Sequence, residues 1–136
     1  GWRELDRNVM GEWYTYLILG YGNAPTAQIE DAVAAEAAAG WEGDTYLVYY
    51  NDATAQSVVV MRTLWDSSAD ATQFSAAFHD YAEARFGVDT QGPDTAMTWT
   101  FPAGYASLLQ SGSQTTLVLA PDAATAQAVL QALPNQ

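Results

Sequence analysis

Any chemistry in this chain must be built from carboxylates, arginine and aromatic rings, because it has one histidine, His79, and no cysteine. The missing cysteine removes disulfides, thiolate nucleophiles and cysteine-based zinc sites together. His79 sits between Phe78 and Asp80 in a helical pattern, where a structural or exposed role is the ordinary one. A zinc centre needs several His, Cys or carboxylate ligands at set spacings. A serine-based triad would need His79 as its base, and no Gly-x-Ser-x-Gly elbow accompanies it.

Acid and base work by paired carboxylates is open by count, with Glu42 and Asp44, Asp52 and Asp66, and Asp89 and Asp94 as the pairs. None has a distinctive spacing. The EF-hand pattern and the phosphate-cradling glycine loop are both absent, and a calcium site at 89–94 would have only Asp89 and Asp94. Arg62, near Asp44 or Asp66, fits an internal ion pair better than an anion site. Trp41, Trp65 and Trp99, with Tyr46, Tyr49 and Tyr50, could line a ligand groove; core packing is the competing use of such residues. The candidate ligand or interaction residues are therefore Trp41, Asp44, Arg62, Trp65 and Asp66. No catalytic set, metal or cofactor is implied.

The charge balance narrows the partners. Sixteen Asp and Glu face four Arg and no Lys, for a net charge of -12. That repels phosphate backbones and anionic membranes, so nucleic acid is excluded; the first use of such an acidic surface is to keep the domain soluble, with attraction to a cationic partner or to Ca2+ as the other readings. The longest apolar runs, LIL and VVVM, are far too short to span a bilayer. At 136 residues, with 49% hydrophobic and 12% aromatic content, the chain reads as a single folded domain over 1–136. Its abrupt start at Gly1-Trp2-Arg3, with no signal sequence, is that of a mature or excised piece of a longer protein.

The elements that must position these residues centre on Gly40 to Asp66, GWEGDTYLVYYNDATAQSVVVMRTLWD. Two apolar runs, 45–50 and 57–65, flank the turn-rich Asn51-Asp52-Ala53-Thr54-Ala55-Gln56, which reads as a hairpin. Before it, Thr26 is the expected cap of an alanine-rich helix over 27–39, with Ile29, Ala32, Val33 and Ala37 as its apolar stripe and Gly40 closing it. After it, Ser67 caps a helix over 68–86 whose Phe74, Phe78, Tyr81 and Phe86 share one face, with Gly87 as terminator.

The run from Val9 to Leu19 satisfies two templates: its aromatics and Ile18 favour strand, and the spacing of Met10, Trp13, Tyr14, Leu17 and Tyr21 favours helix. Asn8 as cap and Glu12 in the first turn tip it toward helix. Residues 1–8 are polar and mixed, with Trp2 and Leu5 as anchors. Near the C-terminus come a short strand at 97–101, a second hairpin of 105–110 with 115–120, and a closing helix over 123–133. The expected order is ααββαβββα, an α+β domain of two hairpins in a mainly antiparallel sheet packed with helices.

These motifs resemble the C-terminal region of a family of bacterial and archaeal surface proteins that look like zincin-type metallopeptidases. The family pattern runs L-G-E-[FW], then A-A-G-W-G-G-D-R-Y, then W-[RK]-T-x-W-D-T-x-x-D-A-x-E-F. It is met here at Gly11-Glu12, Ala38-Ala39-Gly40-Trp41, Gly43-Asp44, Tyr46, Arg62-Thr63, Trp65-Asp66, Asp70-Ala71 and Phe74. The likeness covers roughly 1–86, and the tail only loosely. Glu42 stands for the pattern's Gly, Thr45 for its Arg and Gln73 for its acid; if that Arg pairs with an acid, Thr45 removes the pair here. The zinc motif H-E-x-x-H is missing and cannot be drawn from one histidine, so this piece is not the peptidase.

The glycines and aspartates of these motifs also have a purely architectural account in turns and caps. The resemblance implies a non-catalytic accessory or interaction domain of an extracytoplasmic, secreted or surface-anchored protein. Its partner would be an upstream domain of the same protein or another protein. The alternative is a stand-alone small-ligand-binding module with an aromatic pocket. An enzyme using Glu12, Asp44 or Asp66 as acid or base is a third reading.

Overall fold

The computed structural model describes residues 1–133. The chain forms β1 (Trp2–Asn8), α1 (Gly11–Tyr21), a 3-10 turn (Pro25–Ala27), α2 (Asp31–Ala39), β2 (Trp41–Asn51), β3 (Gln56–Trp65), α3 (Ser68–Phe86), β4 (Ala96–Phe101), β5 (Gly104–Ser111), β6 (Gln114–Ala120) and α4 (Ala123–Ala132). The six strands make one sheet in the order β1-β2-β3-β6-β5-β4. Every neighbouring pair is antiparallel. The α+β class and the antiparallel sheet are as the sequence indicates, and the order gains a leading strand: βααββαβββα.

Alternation along the strands gives the sheet two buried faces. Trp65, Met97, Trp99, Ala106 and Leu108 face one core with Leu19 of α1, Ala34 and Ala37 of α2, and Phe74 and Phe78 of α3. Leu47, Val58, Val60 and Val118 face a smaller core with Ala126 and Val129 of α4. Three helices therefore cover one side and a single helix the other. Large apolar side chains buried this way contribute about 1.5–3 kcal/mol each.

Helix α3 sits where local signals place it. Ser67 Oγ accepts from the Asp70 amide at 3.1 Å, and Gly87 closes the helix in the left-handed region. Phe74 stacks on Trp65 with ring centroids 4.7 Å apart, and Phe78 meets Trp99 edge-on at 5.6 Å. Both buried indoles keep a partner: Trp65 Nε1 donates to Thr115 Oγ1 at 3.0 Å and Trp99 Nε1 to Thr90 Oγ1 at 2.8 Å.

The structure departs from the sequence reading at several places. Residues 2–8, to which the sequence assigns no element, form an edge strand paired with β2 and tied across by the Arg3–Asp52 ion pair at 2.7 Å. Helix α2 starts at Asp31, not Ala27, and Thr26 lies in the 3-10 turn instead of capping. The cause is tertiary: the Ile29 amide donates to Leu19 O of α1 at 2.8 Å, which holds the chain extended there. The buried face of α2 is Ala34, Ala37 and Ala38, with Val33 exposed, so alanines let α2 lie close to Gly20 of α1.

Gly40 closes α2 as the sequence indicates, with a φ of -84° and so outside the left-handed region. Glycine is required there by proximity, because a Cβ would lie 2.4 Å from Asp70 Cβ at the start of α3. Among the described residues, no helix is long and apolar enough to cross a membrane.

Candidate functional site

Asp44 holds the start of α1 from the neighbouring strand. Helix α1 has no side-chain cap of its own, and Asn8 does not supply one. Instead Asp44 Oδ1 accepts from the Met10 amide and Oδ2 from the Gly11 amide, each at 2.7 Å. Trp41 Nε1 donates to the same Oδ2 at 2.9 Å. A bulge in β2 between Trp41 and Gly43 brings ring and carboxylate together. Gly11 has φ of +88°, a left-handed conformation that costs glycine least, where the chain turns into α1. The anionic carboxylate also suits the positive end of the helix.

The five candidate residues do not form one groove. Trp65 is 1% exposed and faces α3, so it cannot line an open site. Arg62 lies three residues earlier on β3 and points to the opposite face of the sheet. There it is half-buried, opposite Thr45 and Thr116, in a hollow of about 320 Å3 shared with Arg7, Leu47, Tyr49 and Gln114. Asp44 borders that hollow with its carboxylate turned to the amides of α1. Asp66 is exposed in the turn before Ser67, and its amide donates to Gly40 O at 2.8 Å.

The other carboxylates are similarly engaged. Asp52 pairs with Arg3 at the far end of the hairpin from Asp66, so that sequence pair does not meet. His79 Nδ1 lies 2.9 Å from Asp80 Oδ1, an oxygen that can only accept, and its Nε2 lies 3.5 Å from the Glu83 carboxylate. Together with Ser75, Asp94 and Gln110 it lines a cleft of about 330 Å3 between α3 and β4.

Glu83 accepts from the Thr90 amide at 2.8 Å, and this bond holds its carboxyl below the usual range. Glu4, Asp31, Asp52 and Asp122 are also held below it, each by hydrogen bonds to the carboxylate. A general acid at neutral pH needs the opposite displacement. Among the described residues, no group of three or more His, Asp or Glu is placed to hold a metal ion.

What the sequence reading did not assign is the outer face of α1. The helix buries Thr15, Leu19 and Gly20. Trp13 is 66% exposed, Tyr14 59% and Tyr21 54%; Val9, just before the helix, and Val33 of α2 are also exposed. The stripe of Met10, Trp13, Tyr14, Leu17 and Tyr21 is thus a helical stripe whose aromatics face solvent. The signal was available as density: α1 holds Trp13, Tyr14, Tyr16 and Tyr21, more ring area than an alanine-rich neighbour can cover.

These rings are fixed rather than loose. The Tyr16 and Tyr21 hydroxyls both donate to Asp31 Oδ1 at the start of α2, the latter at 2.6 Å. The Asp31 carboxylate raises the Tyr16 phenol well above its ordinary range and is itself lowered by the two hydroxyls. Trp13 and Tyr16 lie 5.5 Å apart at 42°, and Tyr16 and Tyr21 5.6 Å apart at 57°. Beside them Glu12, Trp13, Tyr16, Ala35 and Ala38 enclose a shallow hollow of about 230 Å3.

Comparison with known proteins adds a family without an activity. No curated protein and no solved structure matches the chain. A family model described as a domain of unknown function, DUF8575, matches residues 3–130. That span takes in the Asp44 clamp, the aromatic helix and most of both cores, and the chain belongs to the DUF8575 family.

Proposed function

We propose that this domain is a non-catalytic interaction module whose working surface is the outer face of α1. The observation that carries the reading is the set of large side chains left in water there, with Trp13 66% exposed and Tyr14 and Tyr21 beside it. Contiguous apolar surface rimmed by polar groups marks docking sites, and tryptophan and tyrosine dominate their energetics. The face is also pre-organised, by Asp44 at one end of the helix and Asp31 along its flank. Ordering a surface before contact lowers the entropic cost of binding.

The likeness of the Gly40-to-Phe74 motifs to the C-terminal regions of zincin-like surface proteins supports the same role. In that setting the module is an accessory domain outside the cytoplasm, and its partner is an upstream domain of the same protein or a separate protein.

A photo-crosslinking phenylalanine analogue placed at Tyr14, in the native host, tests this against the same probe at Thr54. Thr54 lies in the exposed turn between β2 and β3. The expected result is one defined protein captured from position 14 and not from 54. Its purified complex with the domain should then weaken about tenfold on Trp13→Ala, the loss of a single hot-spot ring. Equal capture from both positions, or a complex indifferent to Trp13, would overturn the proposal.

A further inference from the structure

We infer that the face of α1 receives a cationic protein segment, with a lysine or arginine side chain seated among Trp13, Tyr16 and Tyr21 and its charge met by Glu12 and Asp31. The inference rests on the interaction reading above and specifies the partner's chemistry.

Ring geometry is the first ground. A flat sugar stacks on a flat aromatic platform. Here Tyr16 contacts Trp13 at a 42° tilt and Tyr21 at a 57° tilt, so the rings form no flat platform and turn their π faces in more than one direction. A cation is attracted to each of those faces within about 6 Å of the ring centre.

Charge is the second. From Asn8 to Met61 the chain has no arginine, lysine or histidine, while α1 and α2 carry Glu12, Asp31 and Glu36, with Glu30 just before α2. Nearby Arg3 and Arg7 already pair with Asp52 and Glu4. A neutral partner covering Trp13 would therefore take Glu12 out of water with no cation to meet it, at a large desolvation cost. A second copy would bring acidic helices against acidic helices on chains of net charge -12.

Asp31 is the third. Its Oδ1 takes two phenol hydroxyls, which keeps the carboxylate anionic to lower pH than an ordinary aspartate. The anion and the rings are thus held in one fixed relation.

The test titrates the domain with a short alternating Gly-Lys peptide, its Nε-acetylated form and a Gly-Glu peptide, read by calorimetry and tryptophan fluorescence. Wild type is compared with Trp13→Ala and Glu12→Gln. Both side chains are exposed, and a melting curve confirms each fold, with Tyr21→Ala, another exposed ring of the seat, as substitute if Trp13→Ala does not fold. The expected result is saturable binding of the lysine peptide alone, about tenfold weaker in each variant and weaker as salt rises.

Equal, Trp13-dependent binding of the acetylated peptide would overturn the cationic assignment and leave α1 as an interaction face. Lysine-peptide binding unchanged in Trp13→Ala would reduce the effect to diffuse charge and overturn the seat among the rings. No binding of any peptide would overturn the cationic assignment, and the crosslinking at Tyr14 then judges the interaction reading separately.

Discussion

Asp44 on β2 caps a helix that begins thirty-odd residues before it: its two carboxylate oxygens lie 2.7 Å from the Met10 and Gly11 amides. The same carboxylate receives the Trp41 indole, so one side chain ties helix, strand and bulge together. Asp44→Ala leaves three donors without their acceptor. Losing a cap costs about 1 kcal/mol, and orphaned part-buried donors add to it, so a total of about 2–3 kcal/mol is expected in urea denaturation. Trp41→Phe in the Asp44→Ala background should cost less than in wild type, because the shared bond is already gone. Additive losses would show that the two residues act independently.

The two tryptophans of the sequence motifs and of α1 should behave oppositely. Trp65→Ala removes a ring stacked on Phe74 and bonded to Thr115, and core truncations of this kind cost about 3–5 kcal/mol. Trp13→Ala, on the open face, should shift stability by less than about 0.5 kcal/mol. Thermal melts of the pair decide it. A large loss at Trp13 would mean that the ring is structural and would remove the main ground for a docking face.

Gly40 and Gly43, three residues apart, differ in what surrounds them. At Gly40 a Cβ meets Asp70 Cβ at 2.4 Å, while at Gly43 a Cβ meets nothing within 4 Å. Gly40→Ala should therefore destabilise by about 1–3 kcal/mol through overpacking between α2 and α3, and Gly43→Ala by little. Asp70→Ala should not rescue Gly40→Ala, since the obstructing Cβ remains. Full rescue would place the conflict at the carboxylate instead.

The Tyr16–Asp31 bond sets a pH dependence at both ends. Asp31 is lowered in the folded state, so its contribution is present above the unfolded pKa of about 3.9 and is lost as pH falls through the folded value. Tyr16 is raised, so its contribution is present below about pH 10 and is lost as pH climbs through the folded value. Spectrophotometric titration should show the Tyr16 phenol ionising late, and Asp31→Asn should return it toward the ordinary range. A titration unchanged by Asp31→Asn would count against the bond.

How much of this could be read in advance depended on whether the determining partner was local. Helix α3 was legible because Ser67, Asp70, Gly87 and its phenylalanines all lie within one stretch. The β2–β3 hairpin was legible for the same reason, through the Asn51 turn that accepts from the Ala53 amide. Strand β1 was not, because Arg3, Glu4, Asp6 and Arg7 lie on an exposed edge where no apolar alternation is needed. The true start of α2 depends on Leu19 of another helix, which no window around Thr26 contains. In the candidate site, the closeness of Trp41 and Asp44 was legible from spacing, but the amides that Asp44 serves were not. The spacing of Trp13 and Tyr21 announced a helix face without saying which side of it would meet water.

The pairing of β3 with β6 joins strands that are far apart in sequence, Val60 opposite Val118, and α3 lies between them in the chain. In kinetic terms this is a loop closure, whose entropic cost grows with the length of flexible chain to be closed. A preformed α3 of 19 residues is a rod about 28 Å long, and it shortens the flexible part of that loop. Its caps then act as a splint on the folding pathway, helping the two halves of the sheet find each other before the cores close. Ser67→Ala should accordingly slow refolding more than it speeds unfolding, as read from the two arms of a chevron plot. A loss confined to the unfolding arm would mean that the sheet zips first and the helix arrives afterwards.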